Sequence, residues 1–224
     1  MNKIQSPNFN ERDPVISLAY IVLHYTGMKD AASAIARMCD PAAQVSAHYV
    51  IDEDGSVTQL VDENKRAWHA GKSFWRGITD INSASIGIEL VNPGHEFGYR
   101  AFPAIQIAAL KIAMHDIIER HNMNAATAPI AHSDIAPSRK QDPGELFPWQ
   151  ELAKEGLGIW PIPKDFTQAT EAEIAGLLNT IGYDTTAPRE ALLAFQRRFH
   201  PENLTGNATP ETVARLRGVL SPLP

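Results

Sequence analysis

The chain of 224 residues has one cysteine, Cys39, so no disulfide can form within it and the fold must rest on a packed core. Cys39 itself reads as a small buried apolar residue, with a reactive thiol as the lesser alternative. Long apolar runs are also missing. After Met1-Asn2-Lys3 the chain is polar through Pro14, and the first apolar stretch, Leu18 to Leu23, is far too short for a signal or membrane segment. This points to the cytoplasm, with a periplasmic or outer-membrane-associated location as the alternative if a leader has been removed. Positive charge is in deficit: 20 Lys and Arg face 26 Asp and Glu, a formal net charge of −6. That balance argues against nucleic acid or an anionic membrane as the main partner. None of the eight histidines forms an H-x-x-x-H pair, so the helical metalloprotease motif is absent. No internal repeat or low-complexity tract is visible.

What is present describes an ordinary globular chain, 44% hydrophobic and 21% charged, long enough for one sizeable core and a small second domain. Met1 to Pro14 reads as an irregular arm. Ser17 to Tyr25 (SLAYIVLHY) reads as a buried strand, and Asp30 to Arg37 as a short helix with Asp30 as N-cap. Ala47 to Ile51 and Val57 to Val61 are strands joined through Asp54-Gly55, a hairpin signal. Lys65 to Gly71 (KRAWHAG) and the residues up to Ser83 read as loop, and Ser85 to Val91 as a strand. Phe102 to His121 is a helix whose expected apolar face is Ile105, Ala108, Ala109, Ile112, Ile117 and Ile118. Ala128 to His132 returns as a strand. The composition breaks after Leu152, and residues 156–166 are rich in Gly and Pro, as a linker would be. The expected division is a first domain over 1–155, the linker, and a three-helix domain over 167–224. Its helices start at the Thr170/Glu173 capping box, at Pro188, and at Thr209-Pro210.

The chemistry concentrates in Ile130 to Gly144 (IAHSDIAPSRKQDPG). Nine residues separate His132 from Asp142, enough for a loop to return and bring imidazole and carboxylate together. With one more imidazole they would make a three-ligand zinc site with an open position. His24 and His132 stand apart from the other histidines because both end predicted strands, whereas His95, His115, His121 and His200 read as structural or solvated. Glu89 lies between Ile88 and Leu90 in a core strand, where a carboxylate is costly unless paired or used. Alternation offers an equal alternative: Gly87, Glu89 and Val91 share a face that could simply meet solvent. Trp68, His69, Trp75 and Arg76 mix aromatic and polar groups as a ligand groove would, and packing explains them equally well.

Five segments in order, IVLHYTG, QVSAHYVIDEDGSVTQLV, AWHAG, NSASIGIELVN and AHSDIAPSRKQDPG, resemble the zinc-dependent N-acetylmuramoyl-L-alanine amidases of the bacteriophage T7 lysozyme and peptidoglycan-recognition-protein superfamily. An aspartate as last ligand and the glutamate of GIEL are similar to the AmpD and AmiD branch. The resemblance implies an α/β fold, a mixed central sheet flanked by helices and followed by a small three-helix domain. It implies one zinc per chain held by His24, His132 and Asp142, with Glu89 as base and Lys140 facing the oxyanion. His69, Trp68, Arg76 and Asn92 become candidate substrate contacts. The implied substrate is peptidoglycan or a muropeptide, with the 1,6-anhydro form as one candidate, cut between N-acetylmuramic acid and L-alanine. The alternative is a non-catalytic module that recognises such fragments. ALLAFQRRFHP and TGNATPETVARL in the tail resemble a peptidoglycan-binding three-helix module.

Overall fold

The structure, a computed structural model, describes residues 1–221, so the last three positions of the expected tail domain lie outside the described residues. The first half contains β1 (Asn2–Lys3), β2 (Phe9–Glu11), β3 (Tyr20–Tyr25), α1 (Ala31–Cys39), β4 (Tyr49–Ile51), β5 (Val57–Gln59), β6 (Lys65–Ala67), α2 (Ile81–Ala84) and β7 (Ser85–Leu90). There follow α3 (Gly94–Phe97), α4 (Ala104–His121), β8 (Pro129–Ala131), α5 (His132–Ile135), α6 (Trp149–Lys154), α7 (Glu171–Ile181), α8 (Pro188–Phe199) and α9 (Pro210–Val219). Six strands form one mixed sheet in the order β1-β5-β4-β7-β3-β8. β4, β7, β3 and β8 are mutually parallel, while β5 pairs antiparallel with β4. This is the α/β architecture that the sequence implies.

Parallel strands covered on both sides need apolar residues on both faces. In β3, Ile21 and Leu23 join Ile86, Ile88 and Leu90 in a core covered by α4. That helix buries Ile107, Leu110, Met114 and Ile117, while Ile105 and Ile112, expected on its inner face, are 60% and 66% exposed. Its sequence is apolar most of the way round, so spacing alone does not locate the buried stripe. Gln106 settles the rotation: its amide donates to the carbonyls of Ile51 (3.0 Å) and Val91 (3.1 Å), at the ends of β4 and β7.

Tyr20, Val22 and Ile130 face the other way, into a core shared with Leu178, Tyr183, Leu192, Phe195, Phe199 and Leu216. Large apolar side chains contribute about 1.5–3 kcal/mol each when fully buried. Tyr183 and Phe195 have no exposed surface at all, so α7, α8 and α9 form a second layer of the sheet. Their boundaries follow local chemistry. Glu173 N donates to Thr170 Oγ1 (3.3 Å) and Thr170 N to Glu173 Oε2 (2.7 Å), closing the capping box; prolines open α8 and α9. Residues 156–166 form no regular element, and Leu157 is buried.

Four local expectations are corrected. The arm before Pro14 is not irregular: β1 extends the main sheet beside β5, and β2 pairs antiparallel with β6. Edge pairing needs only backbone groups, so polar residues do not forbid it. The KRAWHAG segment accordingly begins as a strand, and the strand of Ser17 to Tyr25 starts only at Tyr20. His132 opens the single turn α5 instead of ending β8.

Candidate active site

The carboxyl ends of parallel strands are where open α/β sheets hold ligands. In register, Val22 stands beside Gly87 and Ile130, and His24 beside Glu89. Alternation therefore puts His24 and Glu89 on the face whose earlier residues lie under the tail helices. The strand ends project beyond that cover into a cavity of about 400 Å³.

Asp142 reaches the same point because the loop after α5 doubles back, with Ser133 N donating to the Asp142 carbonyl at 3.0 Å. His24 Nδ1 and His132 Nδ1 are 2.8 Å apart, and each lies 2.9 and 2.8 Å respectively from Asp142 Oδ2. All three residues are buried. The protonation of the rings follows from their outer partners. His132 Nε2 faces the Ala70 carbonyl at 3.1 Å, which only accepts, so the neutral ring carries its proton there and Nδ1 is bare. Ser85 donates to the Ile81 carbonyl (2.6 Å), leaving its oxygen to accept from His69 Nε2 (3.3 Å). His69 Nδ1 is then the acceptor for His24 Nε2 (3.1 Å), and His24 Nδ1 is bare as well. Burial lowers the pKa of His24 to about 4, with His132 pushing the same way. Three lone pairs thus converge with no proton required between them. Two neutral imidazoles and a carboxylate are a donor set that fits a divalent cation.

Glu89, half-buried at the cavity wall, has Oε2 without a hydrogen-bond partner among the described residues. Burial, then the Asp142 carboxylate, push its pKa up to about 8. Lys140, Trp68 and His69 line the same cavity. His69 sits behind His24, its ring packed so closely on the sheet that a Cβ at Gly87 would stand 2.5 Å from its Cγ. Trp68 is tethered through its indole N–H to Asn10 Oδ1 at 2.7 Å.

Arg76 and Asn92 are not brought to this cavity. Arg76 donates through Nε to the Ile181 carbonyl (2.9 Å), and Trp75 stacks edge-on against Tyr183, so that loop holds the tail. Asn92 is buried, its amide donating to the Arg100 carbonyl (2.8 Å) and accepting from Gly94 N (3.1 Å). Cys39 lies half-buried at the end of α1, where burial raises its thiol pKa. Sequence reading singles out none of Ser85, Asn82 and Arg139. Asn82 Oδ1 accepts from the amides of His69 (3.0 Å) and Ala70 (2.8 Å), and Arg139 donates to the Ala70 carbonyl (3.0 Å). For Ser85 there was a signal, its i, i+2, i+4 relation to Gly87 and Glu89 on one strand face.

Residues 13–145 match the protein family described as N-acetylmuramoyl-L-alanine amidase. The chain belongs to this family. This amidase is 39% identical over 228 residues to N-acetylmuramoyl-L-alanine amidase AmiD of Escherichia coli (strain K12), covering 89% of this chain and 81% of that protein. Its fold matches the complex of E. coli AmiD with the substrate anhydro-N-acetylmuramic acid-L-Ala-D-gamma-Glu-L-Lys: TM-score 0.82, 34% identity, 95% of this chain and 97% of that one. It also matches AmpDh3 from Pseudomonas aeruginosa in complex with anhydromuramic pentapeptide, with TM-score 0.81, 30% identity and 97% coverage of both chains. The amidase is accordingly a hydrolase that cuts the amide joining N-acetylmuramic acid to L-alanine.

Proposed function

We propose that the amidase is a zinc enzyme acting on muropeptides, including 1,6-anhydro forms, with His24, His132 and Asp142 as ligands of one zinc per chain. The observation that carries this reading is the convergence of two bare imidazole nitrogens and a carboxylate oxygen within 2.9 Å of one another in a buried site. Zinc held there would act as a Lewis acid and bring the pKa of water from ~15.7 towards ~7. Glu89 takes the proton of the attacking water and later delivers it to the departing alanine nitrogen. A pKa raised to about 8 suits a group that must both accept and return a proton near neutrality. Lys140 faces the developing oxyanion. The substrates bound by the E. coli and P. aeruginosa relatives support the anhydro-muropeptide assignment. Arg37, Arg139 and Lys140 around the cavity suit a ligand that carries carboxylates. The C-terminal helices act, in this reading, as a peptidoglycan-binding-like module, supported by the resemblance of ALLAFQRRFHP and TGNATPETVARL to that module.

A non-catalytic recognition module has no need of an unpartnered carboxylate beside a ligand set, and Glu89 is such a group. Mass spectrometry of products from purified sacculi and from an anhydro-muropeptide, with and without chelator, tests the proposal. Free peptide starting at L-alanine, lost on chelation and restored by zinc, is the expected result. Full activity in a metal-free sample would sink it.

A further inference from the structure

We propose that the C-terminal helices position the metal ligands, with Arg198 and Tyr183 acting through Asp134 on the turn that presents His132. This inference rests on the ligand assignment above. Asp134 is the third residue of α5, two after His132, and has no exposed surface. A buried carboxylate is costly unless its charge is met. Arg198 of α8 meets it, donating from Nη1 to Oδ2 at 2.6 Å, and Tyr183, just after α7, donates its hydroxyl to Oδ1 at 2.7 Å. The remaining hydrogen bond to this carboxylate comes from the backbone N–H of Ala131 at 2.9 Å. Both side-chain partners thus come from the tail.

The second amino group of Arg198 donates to the Pro129 carbonyl at 3.0 Å, and its guanidinium lies 4.2 Å over the Trp149 ring. One guanidinium therefore grips the chain on either side of His132, at Pro129 and at Asp134. The same turn holds the next ligand, because Ser133 N donates to the Asp142 carbonyl. Tyr183 is itself held edge-on by Trp75, with ring centroids 5.0 Å apart. A buried ion pair adds little net stability compared with an apolar pair of the same size, so adhesion of the two layers does not require it. Ligand geometry does require such restraint, since a metal set must be held to within roughly 0.5 Å.

The test uses the full chain and the variants Tyr183→Phe, Asp134→Asn and Arg198→Met. Leu216→Ala serves as a control that truncates the shared core in α9 without touching Asp134. Zinc affinity is measured by chelator competition, and the cobalt-substituted protein is examined by its visible absorption. Both are done below the melting transition of each protein, with kcat and KM on a soluble anhydro-muropeptide alongside. Tyr183→Phe and Asp134→Asn should weaken zinc binding about 10-fold or more, alter the cobalt spectrum and lower kcat with KM little changed. Leu216→Ala should lower the melting temperature and leave affinity and spectrum as they were. Should Arg198→Met fail to fold, Tyr183→Phe decides, because it removes one hydroxyl and keeps the ring. Wild-type affinity and spectrum in Tyr183→Phe, or an equal loss in Leu216→Ala, would reduce the tail to a buttress and overturn the proposal. A wild-type chain that binds no metal would overturn the ligand assignment first, and this inference with it.

Discussion

Two buried charged clusters lie two residues apart on this chain, one around Asp142 and His132, the other around Asp134. Around Asp134 each carboxylate oxygen meets a protein donor: Arg198 and the Ala131 amide on one, Tyr183 on the other. Around Asp142 the nearest groups are the Nδ1 atoms of His132 and His24, and the outer bonds of both rings leave those atoms bare. The first cluster is electrostatically closed by the protein, and the second is left open as a donor set that fits a cation. Burial is equally deep in both, so depth does not separate a structural ion pair from a functional site. The direction of each hydrogen bond does.

Breaking the open cluster should have the largest effect. His132→Ala is expected to lose bound metal and to lower kcat on the order of 10³-fold or more, read by metal analysis and muropeptide hydrolysis. In the metal-free form the same change should still cost roughly 1–3 kcal/mol, because it empties a buried site and removes the Nε2–H bond to the Ala70 carbonyl. Metal retained at the wild-type stoichiometry in His132→Ala would take this residue out of the ligand set.

Glu89 sharpens the comparison, since its unpartnered Oε2 belongs to the open side. Glu89→Gln should retain fold and metal and lose about 10²–10⁴-fold in kcat, the usual contribution of a general acid–base group. Near-normal kcat would return Glu89 to an idle wall residue.

In the closed cluster the cost should fall on stability. Arg198→Met leaves the Asp134 charge buried with only Tyr183 and one amide, and should cost roughly 3–5 kcal/mol in denaturant unfolding. Removing the charge as well, Arg198→Met with Asp134→Asn, should recover part of that, because the amide can still pair with Tyr183 and the Ala131 N–H, while the metal site stays loosened. Failure of the double variant to recover would show that the guanidinium matters through Trp149 and Pro129 instead.

The smallest effect concerns a third buried carboxylate, Glu63. Burial alone would raise its pKa, but Arg120, Tyr49 and His121 bring it down to about 2 from 4.5. A depressed acid contributes stability that is fully present above its unfolded value and lost as pH falls through the folded one. Wild-type stability should therefore decline more steeply than that of Glu63→Gln as the pH drops from 4.5 to 2. Parallel curves would mean that Glu63 is not held as these contacts imply.

Much of this was legible in the chain itself. Core strands showed as β-branched runs, and hairpin and caps showed as Asp54-Gly55, Asp30, Thr170 and Thr209, while the mixed sheet with its flanking helices came from the family resemblance. His24, His132 and Asp142 could be named because strand ends and a returning loop are places where a site can be held. The edge strands β1, β2 and β6 were not legible, because they use backbone groups that every sequence carries. The buried stripe of α4 was hidden for the opposite reason, a surplus of apolar residues that left its rotation to Gln106.

By itself the sequence determined which residue types stand at the ends of the central strands, and so the chemistry available there. Only the tertiary structure decided where each lies, since His69 read as groove or as packing, and Glu89 as a used carboxylate or one turned to solvent, until their neighbours were known. The tail's share in the site was decided in the same way. Asp134, Tyr183 and Arg198 are ordinary residues 49 and 64 positions apart, measured from Asp134, and no local pattern marks them. Their meeting is a product of packing three helices on a sheet face. Propensity and periodicity act over a few residues, whereas the closing of a buried charge depends on which distant donors the core brings within 3 Å.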